Sequence, residues 1–123
     1  MRNVLISVVS AVCLCFFCAC SVKRPPVKIS MRSSWVRGGV LQISNHSSDQ
    51  LVCSVYVRNN TSRSKTFRFV LNPNCMQEVG YLELDGWYLD PGEYAIISVE
   101  GYAIDLKVKW NSPGDYHVED VFL

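Results

Sequence analysis

Few residues in this 123-residue chain are of a type that does chemistry, and their spacing is the first constraint on function. Histidine occurs only at His46 and His117. His46 stands in a stretch rich in Ser and Asn, and His117 lies near the C-terminus. Neither joins a short His/Cys/Asp/Glu cluster of the kind that holds zinc. Cys53 lies inside the apolar run 51–57, where a cysteine behaves as a small hydrophobe and not as a nucleophile. Neither a Gly-rich phosphate loop nor a Gly-x-Ser-x-Gly elbow is present. One constellation remains: Glu83, Asp85, Asp90 and Glu93 surround Gly86-Trp87-Tyr88. Two carboxylates beside aromatic rings are the ingredients of a sugar-binding or glycosidase site. Acidic oxygens near a turn can also hold calcium, although the EF-hand spacing is missing. The same residues equally suit the solvent face of a strand and its turn, with the rings in the core. The expectation is a protein that is not an enzyme and needs no cofactor or metal. Trp87, Tyr88, Asp85 and Asp90 are the candidate ligand-binding residues of the alternative, a carbohydrate- or calcium-binding module.

The N-terminus carries a different kind of information. Arg2 is followed by an uncharged apolar stretch over residues 4–19, and the next charge is Lys23. That is the layout of a secretory signal, and it is marginal for a bilayer span, which needs about 20 apolar residues. The stretch ends in Phe17-Cys18-Ala19-Cys20-Ser21. This resembles the lipobox of bacterial lipoproteins, in which a small residue precedes the cysteine that becomes the mature N-terminus. The resemblance implies that residues 1–19 leave as a signal peptide and that the Cys20 thiol carries diacylglycerol with palmitate-like chains. It also implies a lipid-anchored protein of the bacterial cell envelope, with Ser21 favouring the outer membrane. An uncleaved anchor or an ordinary secreted protein are the alternatives. All three place residues 21–123 outside the cytoplasm.

Six cysteines suggest a disulfide scaffold until the signal is subtracted. Cys13, Cys15 and Cys18 leave with it and Cys20 carries lipid, so Cys53 and Cys75 remain in an oxidising compartment. A bridge between them would add roughly 3 kcal/mol in the chain-entropy model. However, a turn near Thr61 would set Cys53 opposite Phe69 with Cys75 beyond it, so two separate buried thiols are the alternative.

Charge is nearly balanced, +1 over the whole chain, which implies no nucleic-acid partner. It is nonetheless segregated along the sequence. Lys23, Arg24, Lys28, Arg32 and Arg37 precede the first acid, Asp49, whereas residues 77–105 contain seven acids and no Lys or Arg. Beside a lipid anchor the basic run would be drawn to anionic head groups by about 1 kcal/mol per charge; otherwise it is a solvated linker.

The elements that would position these residues read as strands. Residues 20–34 hold Pro25-Pro26 and several cations and read as a tether, with 27–31 as an optional edge strand. Over residues 35–110 the apolar pattern has period two. Tyr102, Ile104, Leu106, Val108 and Trp110 share one face while Asp105, Lys107 and Lys109 share the other, the signature of a half-buried strand. Phe67-Phe69-Leu71, Leu51-Cys53-Val55-Val57 and Ala95-Ile97-Val99 mark further faces, with weaker candidates at 40–44 and 79–84. Turn residues fill the gaps, among them Asn72-Pro73-Asn74 and Asp90-Pro91-Gly92. The expectation is an all-β, single antiparallel sandwich of about seven strands. Residues 111–123 form a tail or a short edge strand. The strand-and-turn pattern of residues 41–102, with Leu41-Gln42-Ile43-Ser44-Asn45, Glu78-Val79-Gly80-Tyr81-Leu82-Glu83-Leu84 and Asp90-Pro91-Gly92-Glu93, resembles Ig-like or fibronectin-like envelope domains. That resemblance implies fold, not activity. Taken together, the sequence points to a lipid-tethered module contacting the membrane through its anchor and an envelope protein through its surface.

Overall fold

The computed structural model describes residues 23–34, 38–59 and 61–122. The signal stretch, Cys20, Trp35, Arg37 and Asn60 lie outside the described residues.

Eight strands follow in order: β1 (Val27–Ser34), β2 (Gly38–Asn45), β3 (Leu51–Arg58), β4 (Ser64–Leu71), β5 (Met76–Val79), β6 (Tyr94–Val99), β7 (Ile104–Ser112) and β8 (Asp115–Phe122). They form two antiparallel sheets, β1-β2-β5 and β4-β3-β6-β7-β8. The chain crosses between the sheets after β2, β4 and β5. This is the order of an Ig-like sandwich, with β8 added beyond the seventh strand.

The alternating faces read from sequence are the faces that meet. Ile29, Met31, Leu41, Ile43 and Val79 of the smaller sheet pack on Leu51, Cys53, Val55, Val57, Leu71, Ala95, Ile97, Val99, Ile104, Leu106, Val108 and Trp110 of the larger. Burying such a face stabilises by roughly 1.5–3 kcal/mol per large side chain.

Both chain ends extend the sandwich further than the sequence pattern suggested. β1 is a full eight-residue strand paired from Val27↔Asn45 to Ser34↔Gly38, so the domain includes much of the expected tether. The tail is a full edge strand, β8, whose Tyr116 and Val118 extend the core.

Asn45 is 2% exposed and closes one end of the sandwich. Its Nδ2 donates to the carbonyls of Asp49, Leu71 and Asn72 at 2.7, 3.1 and 3.2 Å. Its Oδ1 accepts from the Ser47 amide and hydroxyl at 2.9 and 2.7 Å, and its backbone N–H donates to the Cys75 carbonyl. One side chain thus joins the end of β2 to the end of β4.

The outer face of the small sheet carries a polar ladder. Ser30 Oγ donates to Gln42 Oε1, Gln42 Nε2 donates to Glu78, and Arg32 forks onto both Glu78 oxygens at 2.6 and 2.8 Å. The bonds from Arg32, then from Gln42, hold the Glu78 carboxyl well below the usual range, at about 2.

Two predictions follow from these contacts. Asn45→Ala should lower unfolding free energy in urea by roughly 2–4 kcal/mol, since it strands several buried carbonyls; a loss under about 1 kcal/mol would show that the network does not hold the sheets together. Glu78 is depressed in the folded state, so its contribution is complete above the unfolded carboxyl value of about 4.3 and disappears as pH falls toward 2. Between pH 5 and 2 the urea midpoint should therefore fall further in the native protein than in Glu78→Gln. Parallel pH profiles would rule the ladder out as a source of acid sensitivity.

Candidate functional site

The acidic and aromatic constellation lies in residues 80–93, which cross from β5 to β6 and cover one end of the sandwich. Residues 79–84 alternate like a strand but form a single helical turn beyond Val79. Glu83 Oε1 accepts from the Gly80 amide at 2.8 Å, the reciprocal half of a capping box. Leu84 N–H then donates to the Gly80 carbonyl. The turn ends with Asp85 N–H on Leu82 and Gly86 N–H on Tyr81, a Schellman motif in which Asp85 and Gly86 take φ of 55° and 91°. This geometry turns Leu84 and Leu89 inward, where both are buried.

Against the cover lies the β3–β4 hairpin. Between them is a cleft of about 390 Å³ lined by Asn59, Arg63, Lys65, Asp85, Trp87, Tyr88, Asp90 and Glu93. Asp85, Trp87, Tyr88, Asp90 and Glu93 therefore do come together, while Glu83 points back to its own turn. Several of them already have partners within the chain. Trp87 is half-buried against the core, and its Nε1 donates to Glu93 at 3.0 Å. The same Glu93 oxygen accepts from the Asp90 amide. The Arg63 guanidinium lies over the Trp87 ring, 5.3 Å from its centroid, and Lys65 pairs with Asp85 at 3.3 Å. Tyr88 remains 46% exposed but leans on Tyr81, with centroids 4.6 Å apart. Trp87 therefore offers no bare ring to a sugar, because a cation sits on it. Among the described residues, no three His, Cys, Asp or Glu side chains converge on a point that could hold a metal.

His46 lines a shallow hollow with Ser44, Asn45, Asn74, Cys75 and Met76, at the end of the sandwich away from the cleft. His117 lies on β8 beside Lys109. Neither approaches Cys53, which is buried in β3 opposite Phe69 and Val99. The two cysteines of the domain are free thiols, not a bridge: Cys53 is buried and Cys75 exposed. Asn72-Pro73-Asn74 carries Cys75 across to the small sheet, while Cys53 stays inside the large one. Asn74 takes φ of 58° in this turn.

One carboxylate that the sequence placed on a solvent face is instead buried. Asp105 is 6% exposed, and its Oδ1 has no hydrogen-bond partner. No pattern in the sequence marks it. Its burial arises because β6 and β7 part beyond the pair Ile97↔Leu106, and the 100–102 connection folds against it.

Comparison with known protein families, curated proteins and solved structures finds no match to this chain. The site must be read from its own chemistry.

Burial pushes the Cys53 thiol up to about 11, so it is protonated at neutral pH and shielded. A thiol reagent at pH 7.5 should label Cys75 within minutes and Cys53 only upon unfolding, as read by peptide mass mapping. Equal labelling, or no labelling until a reductant is added, would overturn this assignment.

Proposed function

We propose that this protein is a non-enzymatic cell-envelope lipoprotein, a lipid-tethered β-sandwich acting as an interaction or structural module. The observation that carries the reading is Cys20 itself, set behind Ala19 at the end of an uncharged apolar run that follows Arg2. Residues 21–26 then separate it from β1, a reach of at most about 25 Å when extended. A lipid on Cys20 would hold the sandwich close to the bilayer with the Val27 end inward. The cleft, next to the Gly38 end of the same strand pair, would face away.

The chemistry of the described domain is compatible with this role. Five ion pairs join half of its described cations to acids, and Cys53 is a packing residue. A tethered module of this kind works through the surfaces it presents to an envelope partner.

Intact mass and detergent-phase partitioning of the native protein beside Cys20→Ala test the reading. The native chain should lack residues 1–19, carry a diacylglyceryl increment and enter the detergent phase. The variant should keep residues 1–19 and lack the diacylglyceryl increment. A native chain without lipid, whether it keeps the signal or is cleaved, would refute the lipoprotein assignment.

A further inference from the structure

A buried carboxylate oxygen without a hydrogen-bond partner lies on the outer face of the large sheet. Asp105 lines a hollow of about 190 Å³ with Ser54, Arg68, Ser98, Glu100 and Tyr102. A carboxylate this deeply buried needs a compensating donor or cation, and its Oδ1 has none. The other charges at the hollow are Arg68 and Glu100, paired at 3.0 Å and each 65% exposed at the side chain. Arg68 is thereby neutralised at the mouth, so the excess charge is the negative one of Asp105.

The surroundings say what kind of group would enter. Register sets the outward residues of β4, β3, β6 and β7 in rows: Val70 beside Val52, then Arg68, Ser54 and Ser98, then Thr66, Tyr56, Ile96 and Lys107. Val70 is 54% exposed, and Val52, Tyr56 and Ile96 are half-buried. Of the apolar groups on this face, Val52 and the half-buried Tyr102 line the hollow beside Asp105. Such a socket suits a cationic head on a hydrocarbon stem.

We propose that the hollow at the β6–β7 fork is a binding socket for a basic side chain, a Lys or Arg presented by a protein partner with apolar neighbours. The socket rests on the reading of the protein as an interaction module and names the chemistry of what it binds. Charge-assisted hydrogen bonds to Asp105 hold the head group, and Val52 and Tyr102 cover the stem. A partner lacking the cation leaves the acid unpaired, which makes the socket selective.

The test uses n-butylammonium as the probe and n-pentanol as its uncharged counterpart, titrated into the native protein and Asp105→Asn. Amide shifts at Ser54, Ser98 and Gly101 report occupancy, and thermal midpoints report stability. The native protein should saturate with n-butylammonium, and Asp105→Asn should bind it at least ~10-fold more weakly, as expected for a lost charge-assisted bond. Pentanol should bind neither with preference. Without any probe, Asp105→Asn should melt no lower than the native protein, because it removes an uncompensated charge. A native protein that fails to saturate, or an Asn variant that binds equally, overturns the socket. So does an Asn variant that melts markedly lower, since Asp105 would then already have a partner inside the fold. These outcomes are independent of the lipid: a chain that carries diacylglycerol but ignores the probe refutes the socket alone.

Discussion

The sandwich depends on an amide held where water cannot reach it. Two sheets facing each other across an apolar core are joined by few directional contacts, because packed side chains set distance but tolerate sliding. Asn45 supplies the missing direction. Its donors reach carbonyls at the end of β4 and in the next turn, its acceptor is filled by Ser47, and its backbone meets Cys75. The crossings from β2 to β3 and from β4 to β5 are thus pinned at one point. A buried polar group so fully paired costs little when satisfied and much when any member is removed, a condition that favours one register over its neighbours.

Charge obeys the same logic of distant segments meeting. The basic run near residue 30 and the acidic run of residues 77–105 look like a polarised chain, yet folding interleaves them. Arg32 meets Glu78, Lys65 meets Asp85, Arg68 meets Glu100, and Arg24 meets Asp120. These pairs are largely exposed and individually worth little, and Arg32–Glu78 is the one that joins the two runs. Attraction of the early cations to a membrane is accordingly weakened, since Arg24 and Arg32 are already matched. An anchored chain would rely on its lipid more than on its charge.

The strand faces were legible because a period-two pattern is a direct imprint of a half-buried sheet. Phe67, Phe69 and Leu71, or Ile104 through Trp110, could occupy one face only as they do. Residues 79–84 misled for an equally physical reason. Tyr81, Leu82, Glu83 and Leu84 alternate, but Glu83 captures the Gly80 amide and Asp85-Gly86 closes a helical C-terminus, so local capping outweighs periodicity. β8 shows the reverse case. Its sequence leaves a tail and a short edge strand both open, and pairing with β7 makes it the strand. For the site, sequence found the cleft residues and could not find their mutual satisfaction, because that depends on Arg63 and Lys65 arriving from another hairpin.

Asp105 marks the limit of linear reading and the place where function is easiest to argue. In the strand pattern it is an ordinary polar residue between Ile104 and Leu106. It becomes exceptional only in the fold, where the β6–β7 pairing ends beside it and it lines a hollow with the 100–102 connection. Trp87, by contrast, drew the eye in the sequence, and folding spends its ring on Arg63 and its N–H on Glu93. A group whose partners are all inside the chain is explained by the fold. A buried acid whose partner is missing is not, because a folded chain left to itself would gain by replacing it. The asymmetry between these two residues is the reason to look for recognition on the outer face of the large sheet and not at the aromatic end.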